Sequence, residues 1–198
     1  MRVVLATRNS HKVTEVGRIL AAVDPGLELV GLGAFPGVPD VAETEATFAG
    51  NALLKARAAA TVTGLVAIAD DSGLTVDALN GMPGVLSARW SGRHGDDAAN
   101  LQLVLDQVVD VPDDRRGAAF VCAAVAVSPD GREVVEEGVV VGSLTRAPRG
   151  SNGFGYDPIF MPAGEDRTTA ELSADEKDAI SHRGRAFRAL AARLREVG

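Results

Sequence analysis

Apolar residues along this chain alternate between short continuous runs and stretches where they recur every three or four positions. That pattern predicts strands and helices in alternation. Val3-Val4-Leu5-Ala6 is a run of the kind a buried strand gives, and Val13, Val16, Leu20 and Val23 then share one helix face until Pro25-Gly26 stops it. Leu27 to Leu32 reads as a second strand and Gly33 to Asp40 as a glycine- and proline-rich loop. An alanine-rich helix is predicted from about Thr47 to Thr63, followed by a third strand, Leu65 to Ala69, that ends at the polar cluster Asp70-Asp71-Ser72-Gly73. Gly81 to Gly95, which contains Met82-Pro83-Gly84 and Trp90, is a predicted loop, and a helix follows from about Asp96 to Val109. Ala118 to Ser128 and Glu133 to Val141, joined by Pro129-Asp130-Gly131, predict a hairpin. A glycine-rich loop from Gly150 to Gly155 and a short strand near Pro158 to Phe160 come next. Ser173-Ala174-Asp175-Glu176 offers a capping box, and Phe187, Leu190, Ala191 and Leu194 mark the packed face of a C-terminal helix. The class is α/β with a mixed sheet.

Composition narrows the picture. With 198 residues, 46% of them apolar, the chain can close a core as one domain, and the single cysteine, Cys122, fits a packing role rather than a disulfide framework. A net charge of −7 without Lys/Arg clusters argues against general nucleic-acid or membrane-surface binding. The longest apolar run, Ala118 to Val127, is half the roughly 20 residues a membrane span requires, so a cytoplasmic location is expected. No repeat or linker-like tract divides the chain, so a single domain over 1–198 is expected.

Four segments carry candidate chemistry. Thr7-Arg8-Asn9-Ser10-His11-Lys12 lies where a buried strand passes into a helix, and unpaired N–H groups with nearby cations suit phosphate there, although a plain Asn/Ser cap with solvated basic side chains is the simpler reading. Asp70-Asp71-Ser72-Gly73 places two carboxylates after a buried strand. Like charges so close call for a compensating cation, and oxygen ligands suit Mg²⁺; a backbone-satisfying turn is the alternative. His11, His94 and His182 are too dispersed for a local zinc motif, whereas Glu43 or Glu45 supplies further acid. Gly150 to Pro158 brings Phe154 and Tyr156, two of eight aromatic residues, into a loop where a base can stack or where they simply join the core. Lys177 to Gly184 offers Lys177, His182 and Arg183 as donors to base-edge oxygens, or else forms a solvated basic joint between helices.

Together, in order, Thr7-x-Asn9-x-x-Lys12, Thr47-Phe48-x-x-Asn51-Ala52-x-x-Lys55-Ala56, Ala69-Asp70-Asp71-Ser72-Gly73-Leu74, Gly81-x-Pro83-Gly84-Val85-x-Ser87-Ala88-Arg89, Gly153-Phe154-Gly155-Tyr156-Asp157-Pro158 and Ser181-His182-Arg183-Gly184 resemble the inosine triphosphate pyrophosphatase family over nearly the whole chain. The resemblance implies an elongated, two-lobed mixed α/β architecture with a central cleft, a homodimer, and hydrolysis of ITP, dITP or XTP to the monophosphate and pyrophosphate. It further implies that Thr7, Arg8, Asn9, Ser10, His11 and Lys12 cradle the triphosphate with Lys55, and that Asp71 is the general base. By the same resemblance Glu43 is expected to join Asp71 in holding Mg²⁺, and Ser72 to touch substrate. The resemblance also implies that Phe154, Gly155, Tyr156 and Asp157 line the nucleoside and that Lys177, His182 and Arg183 contact the base. A nucleotide-binding regulatory module without turnover, or a phosphatase releasing inorganic phosphate, would use the same cleft, and product identification separates them.

Overall fold

The computed structural model describes residues 1–198. In chain order the main elements are β1 (Arg2–Leu5), α1 (Ser10–Val23), β2 (Glu28–Gly31), α2 (Phe48–Thr63), β3 (Val66–Val76), α3 (Asp97–Gln107), β4 (Gly117–Val127), β5 (Glu133–Leu144), β6 (Phe160–Pro162), α4 (Ala174–Ile180) and α5 (His182–Arg193). One six-stranded sheet runs in the order β2-β1-β3-β4-β5-β6. β1 pairs in parallel with β2 and β3, and β5 pairs antiparallel with β6, so the sheet is mixed as the sequence predicts.

Two compact units divide the chain. The first comprises Met1–Asp71, Cys122–Gly138 and His182–Gly198, and the second comprises Ser72–Val121 and Val139–Ser181. Three of the divisions fall inside β3, β4 and β5, so no linker separates the units.

In the first unit the sheet is covered on both faces. Val3 and Leu5 of β1 and Val66 and Ile68 of β3 pack with Val16, Ile19 and Leu20 of α1 and Phe187 and Leu190 of α5. Val4, Ala67 and Ala69 face the other way, against Ala52, Ala56, Ala59 and Ala60 of α2. The alternation follows from the strand period of two, and the alanines let α2 approach closely. The second unit builds its own core from Leu74, Val76, Phe120, Leu144 and Phe160 against Leu101, Val104 and Leu105 of α3. Its Phe120 and Phe160 rings meet edge to face with centroids 4.6 Å apart.

Helix starts are set by side-chain caps. Asn9 accepts from the N–H groups of His11 and Lys12, Thr47 from Gly50, and Asp96 from Ala99. Ser173 and Glu176 complete both halves of the expected capping box on α4. Two sequence expectations change. The third strand does not stop at Ala69; it continues through Asp70-Asp71-Ser72-Gly73 to Val76, because each carboxylate finds charged partners on a facing helix instead of needing water. The short strand near Pro158 falls two residues later, at Phe160–Pro162, after a turn of 3₁₀ helix over Asp157–Ile159 whose second residue is Pro158.

Candidate functional site

Because Asp70 and Asp71 are consecutive in a strand, their side chains leave opposite faces of the sheet. They are therefore not the shared-cation pair their adjacency suggests. Asp70 is 2% exposed and points to the α1 and α5 side. Its Oδ2 accepts from Lys12 Nζ at 3.0 Å and from Arg183 Nε and Nη2 at 3.2 and 3.1 Å. Arg183 also donates Nη1 to buried Glu15 at 2.7 Å. Burial pushes the Asp70 carboxyl up, but Lys12, Arg183 and Lys55 outweigh it and hold the group well below the usual carboxylate range.

Asp71 faces α2. Its Oδ2 accepts from the Asn51 amide at 3.2 Å, and Lys55 Nζ lies 3.5 Å from its Oδ1 while reaching Glu43 Oε1 at 3.0 Å. Burial raises the Asp71 pKa, Glu43 and Asp70 add to the rise, and Lys55 and Lys12 only partly offset it. Lys55 is lowered by burial but raised overall by Asp71, Asp70 and Glu43, so it stays charged. A raised, half-satisfied carboxyl next to an ammonium is the setting expected for a proton acceptor.

No three His, Cys, Asp or Glu side chains converge on one point. The fit of Mg²⁺ therefore rests on Glu43 and Asp71, two hard oxygen donors drawn to one ammonium. That donor set fits: Mg²⁺ is commonly held by one or two carboxylates together with water and substrate phosphate rather than by a full protein cage.

The turn before α1 is both a cap and a cation carrier. Thr7 Oγ1 accepts from the Asn9 N–H, Asn9 caps the helix, and Ser10 and His11 stand exposed in the first turn. Arg8 reaches Asp40 at 2.7 Å and the Val38 carbonyl at 2.9 Å. Lys12 departs from the solvated-cation reading, since it lies on buried Asp70.

The second unit holds the other candidates. Lys177, 7% exposed, donates to Asp157 Oδ2 at 2.6 Å, with its Nζ 5.2 Å from the Phe154 ring centre. Asp157 and Tyr156 are buried rather than lining an open surface. Asp157 accepts from the Phe154 N–H and from Thr169 Oγ1, and Tyr156 donates its hydroxyl to the Ser87 carbonyl. Both brace the loop that presents Phe154. Gly155, half-buried, donates its N–H to Asp97 at 2.9 Å. Gly153, at φ +75°, has no room for a Cβ, which would strike Asp157. Ser72 is half-buried in β3.

His182 and Arg183 sit buried in the first unit, whereas Lys177 belongs to the second. The solvated-joint alternative therefore fails for all three, and Arg183 could read a base only by exchanging Asp70 and Glu15 for it. Sequence reasoning gave no site role to Glu15, Asn51, Thr169 and Asp97, although Asn51 stood in one of the motifs. Glu15 and Asn51 were detectable as polar residues at buried phases of α1 and α2, beside Val16 and Ala52.

A family model described as the Ham1 family matches residues 3–193, and the chain belongs to that family. This bears out the resemblance drawn from the six motifs. A relative from Streptomyces coelicolor, named dITP/XTP pyrophosphatase, is 61% identical over 198 residues, covering 99% of this chain and 98% of its own. Among solved structures, a nucleoside-triphosphatase / dITP/XTP pyrophosphatase from Mycobacterium abscessus is 59% identical with TM-score 0.78, covering 98% of this chain and 99% of its own. A HAM1 protein from Coxiella burnetii is 44% identical with TM-score 0.88, covering 99% of each chain. No helix of this chain is long and apolar enough to cross a membrane.

Proposed function

We infer that the chain hydrolyses non-standard purine nucleoside triphosphates, ITP, dITP and XTP, to the monophosphate and pyrophosphate. The observation that carries this reading is the first unit's charge cluster, in which one strand sends Asp70 and Asp71 to opposite faces, each to meet a lysine, in a member of the Ham1 family. Lys12 and the capped turn Thr7–Lys12 take the triphosphate, and Lys55 adds a second cation. Asp70 holds Lys12 in place. Asp71, with its pKa raised and one oxygen fixed by Asn51, accepts the proton of the attacking water. Glu43 and Asp71 are the residues that would hold Mg²⁺, which when bound supplies charge neutralisation and orientation of the α–β phosphate bridge.

In the second unit, Phe154 offers a face for the base and Lys177 a donor to its 6-oxo group. Arg183 adds a base contact only by leaving Asp70 and Glu15, and His182, itself buried, is the further candidate for one. A 6-amino group leaves such a donor unpaired, at a cost of roughly 1 to 3 kcal/mol per bond, which disfavours adenine. We further propose a homodimer acting in the cytoplasm, checked by light scattering and by cell fractionation.

The test is a Mg²⁺-dependent steady-state panel of ITP, XTP, dITP, GTP and ATP with product identification. Pyrophosphate release from ITP, XTP and dITP, with ATP strongly disfavoured, is expected. Saturable binding without product, or release of inorganic phosphate, overturns the reading.

A further inference from the structure

Asn51 is fully buried at the end of the first turn of α2, among the alanines that pack on the sheet. A carboxamide there is costly unless its hydrogen bonds are met. Its Oδ1 accepts from the Glu45 N–H at 2.9 Å, and its Nδ2 donates to the Glu45 carbonyl at 3.3 Å and to Asp71 Oδ2 at 3.2 Å. One planar group therefore grips both backbone polar atoms of Glu45 and one oxygen of Asp71.

We propose that Asn51 is a positioning residue that fixes where Glu43 stands relative to Asp71. Glu43 lies two residues before the gripped backbone, so the reach of its carboxylate toward Lys55 and Asp71 depends on that anchor. On the Asp71 side, the amide N–H holds Oδ2 on α2 and leaves Oδ1 toward Lys55. Gly50 serves the same junction from outside. A Cβ there would meet Glu45 Cβ and Cγ at 2.7 and 2.9 Å, so only glycine lets the segment before α2 lie this close. Two neighbouring residues thus adapt the helix start to one backbone segment, and that segment carries the acidic side chain paired with Lys55. Partners of metal-binding carboxylates orient them, and losing one typically weakens metal affinity or activity by roughly 10- to 100-fold.

The assignment rests on the reading of Glu43 and Asp71 given above, so its test has an arm that needs no nucleotide. Wild type, Asn51→Ala and Gly50→Ala are titrated with Mn²⁺ alone, followed by electron paramagnetic resonance, and kcat and KM for ITP are measured in parallel. For Asn51→Ala the expected result is a Mn²⁺ dissociation constant weaker by roughly 10- to 100-fold. A kcat loss of similar size is expected with KM changed by less than about threefold, since Lys12 and the Thr7–Lys12 turn are untouched. Gly50→Ala keeps the carboxamide but displaces Glu45, and should weaken Mn²⁺ in the same direction. A merely structural Asn51 would lower the melting temperature and leave Mn²⁺ affinity and kcat of the folded protein at wild-type values, which overturns the proposal. If Asn51→Ala does not fold, Gly50→Ala decides by the same titration, and unchanged Mn²⁺ affinity overturns it. Failure of wild type to release pyrophosphate overturns the functional reading alone, because the Mn²⁺ arm is read without nucleotide.

Discussion

Asp70→Asn and Asp71→Asn, neighbours in β3, should differ sharply in their effect on stability. Asp70 is the buried counter-charge for Lys12 and Arg183, and Asn removes its charge while keeping its shape. Breaking a buried ion pair by removing one partner costs about 3 to 5 kcal/mol. Glu15 still holds Arg183, which favours the lower end of that range. At about 2.1 cal/mol/K per residue, 198 residues unfold with an entropy near 0.4 kcal/mol/K, so about 3 kcal/mol lowers the melting midpoint by roughly 7 °C. Asp71 is the contrary case. Burial, Glu43 and Asp70 oppose its ionised form, so neutralising it should leave stability within about 1 kcal/mol of wild type, roughly 2 °C. The sign with pH follows from the depressed Asp70 carboxyl. Its contribution is present above the ordinary value of 3.8 and is lost as pH falls through its lower folded value. Thermal and urea unfolding at pH 7, with m-values compared to confirm the same transition, provide the assay. Equal melting of the two variants, or an Asp70→Asn midpoint within about 2 °C of wild type, would refute the two-face assignment.

The capping box makes stability acid-dependent: Glu176, held near a pKa of about 2 by the Ser173 N–H and Arg167, contributes fully above its ordinary 4.5. The gap in melting temperature between wild type and Glu176→Gln should therefore close as pH falls from 4.5 toward 2, and a constant gap contradicts this. Cys122, its thiol pKa raised by burial and by Asp70, should resist Ellman's reagent at pH 8 in the native protein and react at once when unfolded; rapid native labelling would refute its burial. Buried Arg116 donates to the carbonyls of Val108, Leu144 and Thr145. Arg116→Met should cost about 3 kcal/mol in urea unfolding, from several stranded acceptors at about 1 to 3 kcal/mol each; a loss under about 1 kcal/mol contradicts that role.

Most of the fold was legible in the sequence because apolar period and turn chemistry agree. The helix from Thr47, the hairpin around Pro129-Asp130-Gly131 and the Ser173 capping box all stand where local signals put them. The end of β3 was not legible, because a run of Asp, Asp, Ser and Gly looks solvated until the helices that neutralise it are in place. That same tertiary fact divides the Asp pair between two faces, which adjacency in sequence hides. Arg183 and Lys177 stood in the sequence as candidate donors to a base edge, with a solvated joint as the alternative. Their surroundings depend on long-range carboxylates, Asp70, Glu15 and Asp157, at separations that no local pattern reports. Asn51 stood inside a recognised motif, yet its task becomes visible only when the Glu45 backbone folds over it.

The most direct measurement is pyrophosphate release from ITP by Asp71→Asn beside wild type, with Mg²⁺ and with products identified. Loss of a general base should lower kcat by about 10²- to 10⁴-fold in a protein that remains folded, while wild type yields inosine monophosphate and pyrophosphate. Turnover by Asp71→Asn within about threefold of wild type, or inorganic phosphate as the wild-type product, would contradict the assignment of Asp71 as the proton acceptor in a nucleoside triphosphate pyrophosphatase.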